Sequence, residues 1–251
     1  MVTDILVVIP ARYASSRLPG KALLEIGGRP MVQWVYDAAR RVAVVDRVVV
    51  ATDDERIVGA VERFGGEAVM TDPHHPSGTD RVAEAARLIG AGIVVNLQGD
   101  EPLIDPRVVG AAIEPLLADP SLDMASLYTR IHDARDWRDP NVVKVVCAQN
   151  GDALYFSRAP IPHPREGGEP AILPLFKHLG LYVYRNDFLQ HLSRLSPSPL
   201  EQVERLEQLR VLEAGYRIRM VETADDSIGV DTQSDLDRVR ALVVGSADGK
   251  T

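Results

Sequence analysis

Three cations near the start of the chain, Arg12, Arg17 and Lys21, follow the apolar run 5–9. Such a run is typical of a strand buried on both faces, and a loop at its end can offer backbone N–H groups and positive charge to a triphosphate. The segment contains neither the Gly-x-Gly-x-x-Gly pattern of dinucleotide-binding folds nor a Ser or Thr after its Gly-Lys pair, as a P-loop requires. It predicts a phosphate-binding loop of another type, with a solvated basic loop as the alternative.

Two aspartates far apart in the sequence could hold a cation. Asp100 comes just after the apolar run 93–97, and Asp231 lies in a Gly-Val-Asp-Thr segment near the end of the chain. An aspartate at the carboxyl end of a strand can bind Mg²⁺, which takes few carboxylates and draws its other ligands from phosphate and water. An adjacent Asp-Glu pair is also typical of a helix cap, so the residues alone leave both interpretations open.

Polar residues in the second half of the chain could recognise a small ligand. His178 and Tyr182 are separated by an even number of positions in a strand-like segment, which places both on one face. Arg158 follows another strand-like run, where a guanidinium could bind a carboxylate with two hydrogen bonds. Glu207 and Gln208 lie among leucines, so some of these polar groups must approach the core. A core histidine packed against a tyrosine is the alternative for the first pair.

Short apolar runs alternate with helix-like segments in the first half of the chain. This alternation predicts a mainly parallel sheet with helices on both faces, and functional loops at the carboxyl ends of its strands. The predicted strands cover 5–9, 48–51, 68–70 and 93–97, and the helices between them begin at Pro30, Asp53 and Thr79.

The second half of the chain is less regular. Asn150-Gly151 between two apolar runs predicts a β-hairpin, and the many prolines of 160–174 predict a long irregular loop. A strand near 179–184, a helix near 201–214 and a last helix beginning near 232–235 complete the predicted elements.

The composition of the chain limits the classes of protein to which it can belong. The chain has 251 residues, 45% hydrophobic and 25% charged, as expected for a globular protein of one large domain. Its net charge of −8 argues against general nucleic-acid binding. Cys147 is the only cysteine, which excludes an intramolecular disulfide. The sequence has neither a signal-like start nor an apolar run of about 18 residues, so we expect a cytoplasmic protein that does not bind membranes.

Taken together, segments spread over residues 7–239 resemble the 3-deoxy-manno-octulosonate (Kdo) cytidylyltransferases, or CMP-Kdo synthetases. The opening segment recurs among sugar nucleotidyltransferases in general, whereas the later ones in this order are specific to the Kdo enzymes. The matching segments include IPARYASSRLPGK (9–21), SGTDR (77–81), QGDEP (98–102), NVVKVV (141–146), YFSR (155–158), HLG (178–180), PSPLE (197–201), LEQLR (206–210) and GVDT (229–232).

The resemblance implies an activity and an assembly. It implies the transfer of CMP from CTP to the anomeric hydroxyl of Kdo, with Mg²⁺ as cofactor, giving CMP-Kdo and pyrophosphate for lipopolysaccharide biosynthesis in the cytoplasm. The implied fold is α/β, with a mainly parallel Rossmann-like sheet of the nucleotide-sugar transferase type. It forms a single domain, 1–245, in which about 130–190 contributes a smaller lobe for dimerisation and for the sugar pocket. Residues 246–251 are a tail, and the protein is a homodimer.

The resemblance also implies roles for individual residues. Catalysis is carried by Lys21, Arg12, Asp100 and Asp231, of which the two aspartates bind the metal. The nucleotide is bound by Ala11, Arg12, Arg17, Lys21, Ser77 and Arg81. The sugar is bound by Gln98, Arg158, His178, Tyr182, Glu207 and Gln208.

The sequence also leaves other functions open. A cytidylyltransferase for a related acidic sugar, such as an amino-Kdo, would need few changes in the pocket. A sugar-1-phosphate nucleotidyltransferase leaves the later motifs unexplained. A catalytically inactive nucleotide-binding subunit predicts loss of the lysine or the aspartates, which are all present, and an NAD-dependent oxidoreductase predicts a glycine fingerprint that is missing.

Overall fold

The computed structural model describes residues 4–14, 18–165, 174–225 and 228–248. The chain divides into two compact units. The first unit contains both ends of the chain, Met1–Gly110 and Ser227–Thr251, and the second unit is Ala111–Asp226. The predicted division into one domain with a lobe at about 130–190 stays a prediction.

The elements of the described residues alternate between strands and helices along most of the chain. The strands are β1 (Ile5–Ala11), β2 (Glu25–Ile26), β3 (Arg29–Pro30), β4 (Arg47–Thr52), β5 (Ala68–Met70), β6 (Ile93–Asn96), β7 (Met124–Arg130), β8 (Lys144–Cys147), β9 (Ala153–Ser157), β10 (Phe176–Arg185) and β11 (Ile218–Glu222). The α-helices are α1 (Met31–Arg40), α2 (Glu55–Arg63), α3 (Gly78–Ile89), α4 (Pro106–Ala118), α5 (Ala134–Arg138), α6 (Asn186–Leu192), α7 (Pro199–Glu204), α8 (Gln208–Glu213) and α9 (Gln233–Asp248), and Lys21–Leu23 forms a 3₁₀ turn.

The first unit is built on a parallel sheet, as the sequence predicts. β1 pairs in parallel with β4 on one side and with β6 on the other, and β4 pairs in parallel with β5. Val7 lies opposite Val48 in one pair and Val95 in the other, and all three are buried. Continuous apolar runs suit strands covered on both faces. The loops that follow these strands therefore leave the sheet at a single edge.

The second unit is built on a mixed sheet. β7 pairs antiparallel with β10 and parallel with β11, while β8 pairs antiparallel with both β9 and β10. The predicted hairpin is confirmed, because β8 and β9 flank Asn150-Gly151 and Gly151 has a φ of 85°, which a residue without a Cβ adopts without strain. Within the predicted loop 160–174, residues 160–165 and 174 are in neither helix nor strand, and 166–173 lie outside the described residues.

β10 contains an irregularity that matters for the functional residues it carries. Its pairing with β7 shifts between Leu179 and Tyr182, so that Leu127 lies opposite Leu179 whereas the preceding Ser126 lies opposite Tyr182. Two residues of β10 are thereby accommodated without partners in the ladder. Such a bulge bends a strand and redirects its side chains.

Two helices begin one or two residues away from the predicted cap. Asp54, rather than Asp53, caps α2 by accepting a hydrogen bond from a backbone N–H two residues on. Ser77, rather than Thr79, caps α3 in the same way from three residues on. Aspartate, serine and threonine are all good caps, so the sequence pattern cannot decide between close neighbours.

The predicted helix 201–214 is in fact two helices, α7 and α8. Arg205 adopts the left-handed conformation with a φ of 55° and ends α7. The chain then turns through Glu207 before α8 begins at Gln208. Gln208 is buried and Glu207 is exposed, so only the former confirms the expectation of a polar side chain in the core.

The C-terminal helix α9 continues to Asp248, beyond the predicted start of the tail at residue 246. Leu236 and Val239 of this helix are buried in a cluster with Ile26 and Met31. This apolar contact attaches the first half of the helix to the rest of the first unit.

Glu201 and Arg210 connect α7 to α8, and we predict that Glu201→Ala lowers the free energy of unfolding by about 3 kcal/mol. The carboxylate of Glu201 is buried and accepts hydrogen bonds from Arg210 Nε at 2.7 Å and Nη2 at 2.5 Å. Its removal leaves the guanidinium half-buried without this partner. Urea denaturation of the variant and wild type measures the loss.

Glu222→Ala is the matched control, because Glu222 pairs with Arg130 at 2.7 Å but both side chains are exposed. This substitution should lower the free energy of unfolding by at most about 1 kcal/mol. Equal losses in the two variants would contradict the importance of the α7–α8 pair.

Candidate functional site

A lysine lies between two carboxylates at the edge of the parallel sheet in the first unit. Lys21 Nζ donates to Asp100 Oδ2 at 2.6 Å and to Asp231 Oδ1 at 3.1 Å. Asp100 follows β6 and Asp231 precedes α9, and the backbone N–H of Val230 donates to the Asp100 carbonyl at 2.8 Å. The structure therefore brings together three of the four residues to which the family resemblance assigns catalysis, including both predicted metal ligands. The fourth, Arg12, binds the loop before α3 instead.

The protonation of Lys21 follows from these neighbours. Burial lowers the pKa of Lys21, but the charges and hydrogen bonds of Asp100 and Asp231 outweigh it, so that the pKa lies above its ordinary value. Lys21 is an ammonium at physiological pH and compensates part of the negative charge of the two carboxylates. The cluster thus presents a fixed cation next to two anions.

The loop after β6 packs tightly against the end of β1. A Cβ on Gly99 would lie 3.1 Å from the carbonyl oxygen of Pro10, which is closer than side chains normally approach. A glycine therefore favours this close approach of the two segments next to Asp100.

The two aspartates fit the requirements of Mg²⁺. Their side chains are 29% and 48% exposed, so each can turn an oxygen toward solvent. Among the described residues no group of three or more His, Cys, Asp or Glu side chains could hold a metal. An ion at Asp100 and Asp231 would thus take its remaining ligands from water and from a bound phosphate, as Mg²⁺ usually does.

Arg12 holds the loop that precedes α3. Its Nη2 atom donates to the carbonyl oxygens of His75 at 2.7 Å and of Ser77 at 2.9 Å. The hydroxyl of Ser77 in turn donates to the Asp80 carboxylate at 2.8 Å.

Two other predicted nucleotide-binding residues, Ala11 and Arg17, lie close to Arg12 in the sequence. Ala11 is buried at the end of β1, and Arg17 lies outside the described residues. The roles of these residues in binding a nucleotide stay predictions.

Arg81, a predicted nucleotide-binding residue, is bound to other side chains of the first unit. Its side chain is fully buried, with Nη2 donating to Asp53 at 2.7 Å and Nη1 bonded to the hydroxyl of Thr71. Arg81 joins α3 to the ends of β4 and β5 and presents no surface to a ligand in this conformation. Gln98 is half-buried and donates to Asn96 at 3.1 Å within the first unit.

A second group of predicted residues gathers in the second unit. The rings of His178 and Tyr182 have centroids 5.3 Å apart, and Phe156 meets His178 edge-on at 5.0 Å. The hydroxyl of Tyr182 donates to Gln208 Oε1 at 3.3 Å. The buried Nε2 of Gln208 has no hydrogen-bond partner among the described residues, and an unpaired buried amide is costly unless a ligand completes it.

The bulge in β10 is what brings this group together. In a regular strand, residues four positions apart are separated by about 13 Å. His178 and Tyr182 do share a face, as the sequence predicts, but their ring contact depends on the shift in register between Leu179 and Tyr182.

The pocket residues of β10 are uncharged near neutral pH. Burial lowers the pKa of His178 to about 3, although the residue as a whole is only partly buried. Burial, reinforced by the charge of Glu207, raises the pKa of Tyr182 above its ordinary value. The imidazole and the phenol are therefore neutral hydrogen-bonding groups.

Arg158, which the sequence predicts to bind a carboxylate, binds the protein backbone in this structure. Its guanidinium donates to the backbone carbonyls of Glu204 at 2.7 Å, Pro140 at 2.9 Å and Arg205 at 3.4 Å. Its backbone N–H donates to the Glu204 side chain at 2.9 Å. Arg158 therefore holds the turn between α7 and α8, next to Glu207, and its donors are directed at the protein backbone.

Sequence reasoning missed Ser126, Glu204 and Asp53, each of which binds a predicted site residue directly. Ser126 contacts His178 at 2.8 Å, Glu204 binds Arg158, and Asp53 binds Arg81. No local pattern singles them out, because each acts across a long sequence separation.

Two exclusions follow from the structure. Burial raises the pKa of Cys147 to about 11, so its thiol is not an activated nucleophile. Within the part of the chain that is described, the helices are too short or too polar to cross a membrane.

Comparison with known proteins identifies a matching family and similar relatives. The sequence model of a family described as "Cytidylyltransferase" matches residues 6–218. A 3-deoxy-manno-octulosonate cytidylyltransferase from Syntrophotalea carbinolica is 56% identical over 248 residues, which cover 96% of this chain and 99% of the relative.

Solved structures extend the comparison to the fold. A CMP:2-keto-3-deoxy-manno-octonic acid synthetase complexed with CTP superposes with a TM-score of 0.93 and 49% identity, over 97% of this chain and all of that one. A 4-diphosphocytidyl-2C-methyl-D-erythritol synthase from Anaerococcus prevotii, 14% identical with a TM-score of 0.65 over 97% of this chain and 100% of its own, shares the fold. The predicted α/β nucleotidyltransferase fold is confirmed, and the chain belongs to the 3-deoxy-manno-octulosonate cytidylyltransferase family.

Proposed function

We propose that the protein transfers CMP from CTP to the anomeric hydroxyl of Kdo, releasing pyrophosphate. One observation carries the proposal. Lys21 contacts both Asp100 and Asp231 at the edge of the parallel sheet, in a chain 56% identical to a Kdo cytidylyltransferase. A cation beside two carboxylates is suited to a nucleoside triphosphate and its metal ion.

The reaction is an in-line displacement at the α-phosphorus of CTP. The anomeric oxygen of the sugar forms the new bond, and the bond between the α-phosphorus and the bridging oxygen breaks as pyrophosphate leaves. Transfers of this kind depend on positioning and on neutralising charge rather than on covalent chemistry by the protein. Lys21, an ammonium at neutral pH, stabilises the negative charge of the triphosphate.

Mg²⁺ is the proposed cofactor, held by Asp100 and Asp231, and when bound it supplies further positive charge at the phosphates.

Arg12 and Ser77 shape the nucleotide-binding loop, since Arg12 binds two of its carbonyls and Ser77 caps α3. The assignment of Ala11, Arg17 and Arg81 to nucleotide binding comes from the family resemblance, and for Arg81 we propose an indirect role through Asp53.

His178, Tyr182 and Gln208 are the core of the proposed sugar pocket in the second unit, with Glu207 as a further ligand. The assignment of Gln98 to sugar binding comes from the family resemblance. The unpaired Nε2 of Gln208 offers a donor to a sugar oxygen, and the neutral imidazole and phenol suit a polyhydroxyl ligand. Arg158 contributes by holding the turn that carries Glu207.

We propose that the product is used for lipopolysaccharide synthesis in the cytoplasm.

A homodimer is also proposed, formed through the second unit. Leu154 on β9 is 61% exposed and Val203 on α7 is 83% exposed, and Leu200 on α7 is exposed as well. Leu200 and Val203 are three residues apart and lie on one face of their helix. Large apolar side chains exposed on a helix face are typical of a surface that another chain covers.

The activity is tested by pyrophosphate release from purified protein with Mg²⁺ and each of CTP, UTP, ATP and GTP, with and without Kdo. We expect release only when CTP and Kdo are both present. Release with CTP and an amino-Kdo instead would change the sugar and keep the mechanism. A folded protein that is silent with every nucleotide and sugar would contradict the proposal.

We predict that Asp100→Ala reduces transfer at least about 1,000-fold, because it removes one carboxylate that binds the metal and one partner of Lys21. Pyrophosphate release measures the loss, and the circular dichroism spectrum should be that of wild type. Asp237→Ala, which removes an exposed carboxylate on α9, is the control and should retain full activity. Mg²⁺-dependent activity in Asp100→Ala equal to that of the control would exclude the two-aspartate arrangement.

The proposed dimer predicts that Val203→Glu produces a monomer, because a charge in a covered apolar surface is not solvated. Sedimentation velocity compares the masses in solution. Leu242→Glu changes an equally apolar, exposed position on α9 of the first unit and should leave the dimer intact. A wild-type monomer at micromolar concentration, or a dimer in both variants, would contradict an interface at α7.

A further inference from the structure

Ser126 lies at the centre of the hydrogen bonds that surround His178. Its side chain is fully buried on β7, and its Oγ is 2.8 Å from His178 Nε2, 2.8 Å from the carbonyl oxygen of Leu181 and 3.4 Å from that of Leu179. All three partners belong to β10: His178 and Leu179 precede its bulge, and Leu181 lies within it. A single hydroxyl therefore contacts both the bulge and the histidine of the pocket.

The hydroxyl has one proton to donate, which determines the direction of each hydrogen bond. A carbonyl oxygen can only accept, and two oxygens 2.8 Å apart repel each other unless a proton lies between them. The proton of Ser126 is therefore directed at Leu181 O. The Oγ atom is left as the acceptor toward His178, so Nε2 must be the ring nitrogen that carries a proton.

His178 consequently has a defined tautomer. The ring is neutral near pH 7, because burial holds its pKa near 3, and a neutral imidazole has one donor and one acceptor. With the proton on Nε2, Nδ1 retains its lone pair. No hydrogen bond to Nδ1 is found among the described residues, and His178 as a whole is only partly buried. The side chain can therefore accept a hydrogen bond from a ligand hydroxyl.

We propose that Ser126 is a positioning residue of the sugar pocket: it holds the β10 bulge and fixes His178 as the Nε2–H tautomer, so that Nδ1 accepts a hydrogen bond from a hydroxyl of the acceptor sugar. The inference rests on the proposed function for the identity of the ligand. The tautomer itself does not depend on that function. Through the bulge, Ser126 also sets the contact between His178 and Tyr182.

The wild-type protein provides the first test. Two-bond ¹H–¹⁵N spectra of protein labelled with ¹⁵N-histidine distinguish the tautomers of its six histidines, and the His178 signals are identified by their absence in His178→Gln. We expect Nε2–H as the dominant form from pH 6 to pH 8 without any ligand. Nδ1–H as the dominant form would overturn the proposal whether or not any variant folds.

Substitutions at position 126 provide the second test. Ser126→Ala removes the acceptor for Nε2–H, and we expect a mixture of tautomers and a rise of about tenfold in the KM for Kdo, with the KM for CTP unchanged. Ser126→Thr keeps one donor and one acceptor at the same place and should retain both the wild-type tautomer and the wild-type KM for Kdo. Ser193→Ala is the matched control, since this hydroxyl of the same unit bonds only locally, to Gln190 O at 3.1 Å.

The outcomes separate this proposal from the proposed function. A folded Ser126→Ala that keeps the wild-type tautomer and the wild-type KM for Kdo would overturn the positioning role. An equal rise in the KM values for Kdo and CTP would overturn it as well, because the effect would then be general. Absence of transfer to Kdo by the wild type would reject the proposed function, while the tautomer measurement would still decide the role of Ser126 toward His178.

Discussion

Parallel pairing of β1 with β4 and β6 is the constraint on which the candidate catalytic group depends. Parallel strands end at the same edge of a sheet, so the loops after them are gathered there wherever they lie in the sequence. Lys21 and Asp100 come from two of these loops, and Asp231 is attached by the bond between Val230 and the Asp100 backbone. Two carboxylates close together repel each other, and the ammonium of Lys21 offsets part of that repulsion. The result is a charged group in which one cation contacts two anions.

Several cations of this chain serve the structure, and burial distinguishes them from those that can meet a ligand. Arg81 and Lys144 are fully buried. Arg81 binds Asp53, whereas Lys144 Nζ donates to the carbonyl of Asp139 at 2.7 Å and to that of Val142. A buried cation without such partners would be strongly destabilising, so these contacts are required for folding.

Arg158 lies between the buried and the exposed cations, since its guanidinium is partly accessible but is directed at backbone carbonyls. Residue type alone would have placed all of these side chains among the candidate ligands of an anion.

The second unit forms its pocket through two local departures from regular structure. The bulge in β10 brings His178 against Tyr182, and the left-handed Arg205 separates α7 from α8 so that Gln208 begins a new helix. Both departures are held by hydrogen bonds from elsewhere in the unit, through Ser126 in the first case and Arg158 in the second. Irregular backbone of this kind is costly unless its surroundings determine it, and it is often found where a ligand binds.

The sequence by itself determined the elements and motifs whose signals are local. Buried parallel strands are recognised by continuous apolar runs, the β8–β9 hairpin by Asn150-Gly151, and the family by segments such as those at Lys21 and Asp100. Each of these signals depends on neighbours within a few residues, which the sequence displays directly. Only the tertiary structure decided that Arg81 is buried on Asp53, that Arg158 binds backbone carbonyls, and that Ser126 reaches His178. These contacts join residues 28, 46 and 52 positions apart, and they depend on strand register and on a bulge that side-chain packing sets. A local pattern carries no information about such contacts, because the same residues in another register would face different neighbours.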